Sequence, residues 1–216
     1  MKEKRADFLA KMQGVDVRRV LFLDEFGFNL GFCRLWGWAK QGERAYGSAP
    51  ENTDPHVTLV VALRYAGALA PFTFDGAMDG LAYQTYLEKA LGPHLRPDTV
   101  VVFDNLGSHR SGLALDFLRR RGVRAIPLPP YSPDFTPVEE CGSKIKQVVR
   151  GLEPRTRQDV DAAIGKAFGR VTAKDARGWF RDRAFYFFPI RPKPARKGHR
   201  PRTRRGSGHT PTGPPL

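Results

Sequence analysis

The sequence predicts an α/β fold, a mixed sheet with helices on its faces, from three observations. Its first half carries short β-branched apolar runs close together, and its second half alternates helical with strand patterns. No run of apolar residues is long enough for a membrane helix. Early hairpins followed by helical crossovers call for both antiparallel and parallel pairing in one sheet.

Taken in order, residues 1–18 are polar and helical in pattern, and MKEKRADFLAKMQG lacks the apolar stretch of a signal peptide. RVLFLD at 19–24 suits a buried strand ending at Asp24, and residues 28–36 are expected to pair back as a hairpin across a turn at Gly27. HVTLVVALRY at 56–65 is the clearest strand, and Ala66-Gly67 turns it into another at 69–74. Residues 79–91 have helical spacing, with Leu81, Tyr86, Leu87 and Leu91 on neighbouring turns before Gly92-Pro93. Strands at 99–103 and 123–128 flank a helix at 111–121, and helices follow at 137–149, 157–168 and 172–180. From 189 onward Pro, Gly and Arg dominate without apolar periodicity, a composition unable to offset its ordering entropy. The expected organisation is a helical segment at 1–18, one domain at 19–188 and a basic disordered tail at 189–216.

The hydrophobic fraction of 41% is ordinary, but the net charge of +14 is not. Residues 191–216 hold eight bases and no acid, which leaves 28 bases against 22 acids in residues 1–190. Such a balance favours a nucleic-acid partner, because each phosphate neutralised releases counterions. Two isolated cysteines, Cys33 and Cys141, support neither a disulfide framework nor a zinc site. With no membrane segment or signal peptide, the expected location is the cytoplasm.

Three acids stand where a sheet edge would gather them. Asp24 and Asp104 each follow a run of apolar residues, and Glu139 lies on the first turn of a helix after a proline-rich connection. Hard divalent cations take oxygen ligands from a few carboxylates and keep positions open for water and phosphate. Each acid alone is as well explained by a turn or a helix terminus; the combination carries the inference. Glu25 falls on the opposite strand face from Asp24. Glu140 lies about 100° around the helix from Glu139, so one of the pair faces the site.

DNLGSH from Asp104, LPPYSPDFTPVEE ending at Glu140, and FLDEFGFNLGFCRLWGWAKQGERA resemble the DDE transposases of the mariner-like superfamily, in particular their bacterial insertion-sequence branch. Thirty-four residues separate Asp104 from Glu139, the spacing of that branch. The resemblance spans roughly residues 19–180. It implies a ribonuclease-H-like fold, with Asp24, Asp104 and Glu139 as catalytic and metal-binding triad for two Mg²⁺ ions, Mn²⁺ substituting. The implied activity is cleavage at transposon ends followed by attack of the freed 3′-hydroxyl on target DNA, by a homodimer in the DNA complex associated with the nucleoid. An inactive remnant that only binds DNA or multimerises is the alternative.

Other residues are weighed on the same basis. Asn105 and His109 match the family's D-N-x-x-x-H element, as DNA contacts, as groups that orient the carboxylates, or as a cap and a surface histidine. Pro129, Pro130, Pro133 and Pro137 stiffen the connection that aims the Glu139 helix, with Tyr131 expected to pack beneath it. Trp36 and Trp38, among Arg34, Lys40 and Arg44, are expected in core or hairpin packing, with stacking on DNA the alternative. Arg119, Arg120, Arg121 and Arg124 form a basic helix end, by default a solvated face, with phosphate contact the alternative. Members of that family also carry an N-terminal helix-turn-helix region, so end recognition is expected in a separate polypeptide, in a fused or frameshifted product, or not at all. They have Trp where Gly142 stands and Asn where Thr136 stands; a glycine there predicts a looser helix, stabilised by Gly142→Trp.

Overall fold

A computed structural model describes residues 2–104 and 112–183. Asn105, His109 and the basic tail lie outside the described residues, so the expectations placed on them have no structural counterpart.

Five strands form one mixed sheet in the order β3-β2-β1-β4-β5. β1 (Val20–Phe28), β2 (Val57–Arg64) and β3 (Gly67–Asp75) pair antiparallel as a meander. β4 (Val100–Phe103) and β5 (Arg124–Pro127) add in parallel beyond β1, as helical crossovers require. Alternation then divides the core between two faces. Phe22, Phe26, Val61 and Val102 face α1 (Lys2–Met12), α4 (Val138–Leu152), α5 (Arg157–Phe168) and α6 (Ala173–Arg183). Leu21, Leu23, Val101 and Phe103 face α2 (Gly80–Thr85) and α3 (Gly112–Arg120).

The helix expected at 79–91 is α2 continued by a widened π turn, Tyr86–Leu91, and a 3₁₀ turn, Gly92–His94. The widening buries Tyr86, Leu87 and Leu91 fully, with Tyr83 beside them, and leaves Leu81 outside.

The hairpin expected at 28–36 does not form. β1 runs through Gly27, and Phe28 pairs with Val57 of β2. Turning at Gly27 would forfeit burial of Phe28, which continues the alternation of Phe22 and Phe26 into the core. Residues 29–56 are instead a long irregular connection. Trp36 and Trp38 on it are 91% and 103% exposed, so the expected packing of these tryptophans is not what the chain adopts. Arg119, Arg120, Arg121 and Arg124 are exposed, as a solvated helix end should be.

α1 packs against the sheet. Phe8 and Met12 are buried in the same core as β1, and Phe8 stacks on Phe135 with centroids 5.4 Å apart.

Candidate active site

Asp24 does not end its strand, as the apolar run suggested; it lies in the middle of β1, and it is the neighbour β4 that stops. The parallel register pairs Phe22 with Val102. Continued by two residues, the same register brings Asp24 level with Asp104, the first residue beyond β4. Both carboxylates therefore stand where parallel pairing gives out, the position at which open α/β sheets present functional groups.

The third acid arrives from the helical layer. Proline at 133 and 137 and a 3₁₀ turn at Pro133–Phe135 carry the chain from β5 to α4. Val138, Cys141, Ile145 and Val149 of α4 are buried at helical spacing against the sheet. That registration leaves Glu139 exposed on the first turn, lining a cleft of about 430 Å³ together with Asp104. Glu140 is engaged elsewhere: Arg183 Nε donates to its Oε1 at 2.9 Å.

Charge ties Asp24 to this cleft. Burial is the first cause that pushes its carboxyl up, to about 7. The N–H of Glu25 donates to Asp24 Oδ1 at 2.8 Å and opposes the rise. The negative charges of Glu139, Asp104 and Glu25 add to it, in that order. Burial pushes the Tyr83 hydroxyl up, and the charges of Asp104 and then Glu25 add to it.

Among the described residues, no three His, Cys, Asp or Glu side chains are drawn together as a closed metal-ligand set. The three acids share one electrostatic neighbourhood without forming such a cage. The residues nonetheless suit a hard divalent cation. Their donors are all carboxylate oxygens, and a buried carboxylate beside two more of like charge is a place where a cation relieves repulsion. Thr136, on the same cleft, has a buried hydroxyl with no hydrogen-bond partner among the described residues, open to a bound water or phosphate oxygen.

Two features here differ from expectation. Tyr131 does not pack beneath α4; it is 86% exposed and lines the cleft with Asp104 and Glu139. Gly142 does not loosen α4: a Cβ built there would overlap Cε1 and Cζ of Phe26, a ring only 3% exposed. The space a larger residue would need is already filled from β1, so Gly142→Trp has no room in which to stabilise the helix. Neither feature was legible in the motif, because each depends on where a distant segment packs.

Two carboxylates level where parallel pairing ends, with a third across a cleft, suit the divalent cations that two-metal phosphoryl-transfer sites use. The family model for the DDE superfamily endonuclease matches residues 19–161, and the chain belongs to that family. Two relatives from Caenorhabditis briggsae share sequence with it. The Tcb1 transposase is 31% identical over 100 residues, which is 44% of this chain and 37% of the relative. The Tcb2 transposase is 32% identical over 82 residues, 36% of this chain and 30% of the relative. The chain thus spans about a third of the curated relatives it matches. Among solved structures, the catalytic domain of Mos1 mariner transposase superposes with a TM-score of 0.61 at 14% identity, covering 86% of this chain and 87% of that one. The Mos1 paired-end complex with left transposon end gives 0.65 at 17%, covering 86% and 57%. These likenesses establish the fold, a ribonuclease-H-like α/β sheet, as expected.

Proposed function

We propose that this chain is the catalytic core of a DNA transposase of the bacterial insertion-sequence branch, cutting phosphodiester bonds at transposon ends and joining the freed 3′-hydroxyl to target DNA. Asp24, Asp104 and Glu139 are its catalytic residues and would hold two Mg²⁺ or Mn²⁺ ions. The observation that carries this reading is the Asp24 carboxylate at the end of the β1–β4 pairing, raised first by burial and further by the charges of Glu139 and Asp104. When bound, such ions supply Lewis-acid activation of the attacking oxygen and stabilisation of the leaving one. The protein's own part is placement: β1 and β4 fix two carboxylates through the sheet, and α4 brings the third across the cleft.

Supporting this reading is the pairing of the neighbouring acid Glu140 with Arg183, while alternation along β1 turns Glu25 to the opposite face from Asp24. DNA is the proposed partner, engaged by a homodimer, and residues 19–188 are the proposed catalytic unit. The nucleoid is the proposed location; among the described residues no helix is long and apolar enough to cross a membrane. The tight fit at Gly142 weakens one of the arguments for a decayed remnant.

The test is Mn²⁺-dependent nicking of supercoiled plasmid by the purified chain beside Asp104→Ala, together with thermal shifts in Mg²⁺. The parent should nick and gain stability with the ion, and the variant should do neither. Equal behaviour of the two proteins would overturn the assignment of Asp104.

A further inference from the structure

Tyr131 combines three properties. Its ring is 86% exposed, it lines the cleft of Asp104 and Glu139, and its backbone is left-handed with φ +53°. Left-handed backbone is uncommon for a bulky residue outside sites where the surroundings impose it.

The surroundings here do impose it. On the C-terminal side Ser132 is 5% exposed, and its hydroxyl donates to the carbonyl of Pro130 at 3.2 Å while accepting from Arg5 Nη1 at 2.9 Å. Arg5 also grips Asp134 through both carboxylate oxygens, at 3.0 and 2.6 Å. Its guanidinium lies 3.9 Å from the ring centroid of buried Phe135. On the other side Pro129 and Pro130 stiffen the approach. The segment is therefore held on both sides of a residue that belongs to neither core cluster. A right-handed backbone would aim the side chain elsewhere; the clamp from α1 holds it out at the cleft mouth.

We propose that Tyr131 is a stacking platform for a base of the DNA strand bound at the carboxylate cleft, orienting that strand rather than taking part in bond making. The proposal rests on the nucleic-acid reading of the cleft given above. An aromatic face accepts any base, so the contact positions the strand without reading sequence. The rigid backbone suits this role, since a ring fixed before binding loses little freedom when a base settles on it.

The experiment uses the full chain and a DNA duplex with a short single-stranded overhang carrying 2-aminopurine, in Ca²⁺ so that binding is read without cleavage. Fluorescence quenching and affinity are measured for the parent and for Tyr131→Phe, Tyr131→Ala and Tyr131→Gly. Tyr131→Phe should quench and bind like the parent. Tyr131→Ala should lose the quenching and weaken binding by roughly 5- to 160-fold, with an unchanged melting temperature because the side chain is exposed. Tyr131→Gly removes the φ penalty and should bind as weakly as Tyr131→Ala. Parent-like quenching in Tyr131→Ala, or parent-like binding in Tyr131→Gly, would overturn the proposal. Plasmid nicking by Asp104→Ala reports the carboxylate chemistry separately. Should that variant nick normally while Tyr131→Ala loses quenching, the platform stands and the assignment of Asp104 falls.

Discussion

At the scale of single residues, Gly142 has the most exacting position. It lies three residues beyond Glu139 on α4, and the Phe26 ring that it meets lies two residues beyond Asp24 on β1. The ring against the glycine thus sets how closely the helix bearing one acid approaches the strand bearing another. Alanine would gain about 1 kcal/mol of helix propensity but would drive a Cβ into a buried ring, an overpacking that costs ~1–3 kcal/mol or more. Because the added atom would overlap the ring itself, the cost should exceed the gain. Gly142→Ala is therefore expected to be less stable by about 2 kcal/mol, a fall of roughly 4–8 °C in melting temperature for a domain of this size. Scanning calorimetry of the two proteins checks this; equal or higher stability would mean that Phe26 yields easily.

At the scale of elements, α4 is pinned from two sides. Its apolar stripe buries against β1 and its neighbours, and α6 grips its outer face through Arg183–Glu140 and Lys144–Asp175, the latter at 2.6 Å. Asp175 also receives the backbone N–H of Thr172 at 2.8 Å at the start of α6, so one carboxylate both caps a helix and ties two together. Hydrogen bonds from Lys144, then Thr172, hold its carboxyl at about 2, below the usual 3.8. A depressed carboxylate stabilises the fold fully above its unfolded value and loses that contribution as pH falls through its folded value. The stabilisation from Asp175 should therefore be complete above about pH 4 and fade toward pH 2. Accordingly, Asp175→Asn should melt below the parent at pH 7, with the difference shrinking across that acid window. A gap that stays constant with pH would show that the pairing is not the source.

At the scale of the whole molecule, charge is the leading feature. Eight of the 36 bases fall within residues 191–216, and the excess within residues 1–190 is modest. Deleting residues 191–216 is expected to weaken DNA binding and to flatten the dependence of log K on log salt, since every phosphate no longer neutralised lowers the slope by close to one. Binding titrations across a range of NaCl concentrations measure this, and an unchanged slope would assign DNA binding wholly to the sheet domain.

The chain order of strands and helices, the basic character and the three spaced acids were readable from the sequence. Each depends on local pattern: β-branched runs, helical spacing, and motif residues at fixed separation. The glutamate helix was placed correctly in kind, and Cys33 and Cys141 are free, as their isolation implied. What local pattern could not decide was the partner of each surface. Whether Gly27 turned the chain depended on β2, thirty residues away, offering a pairing edge to Phe28. Whether Gly142 was a gap or a seat depended on a ring from β1, and whether Tyr131 packed or protruded depended on Arg5 of α1 gripping Ser132 and Asp134. A sequence specifies which residues must find burial or a partner; only the tertiary structure decides which distant atom takes the place, because close packing admits one occupant at each position.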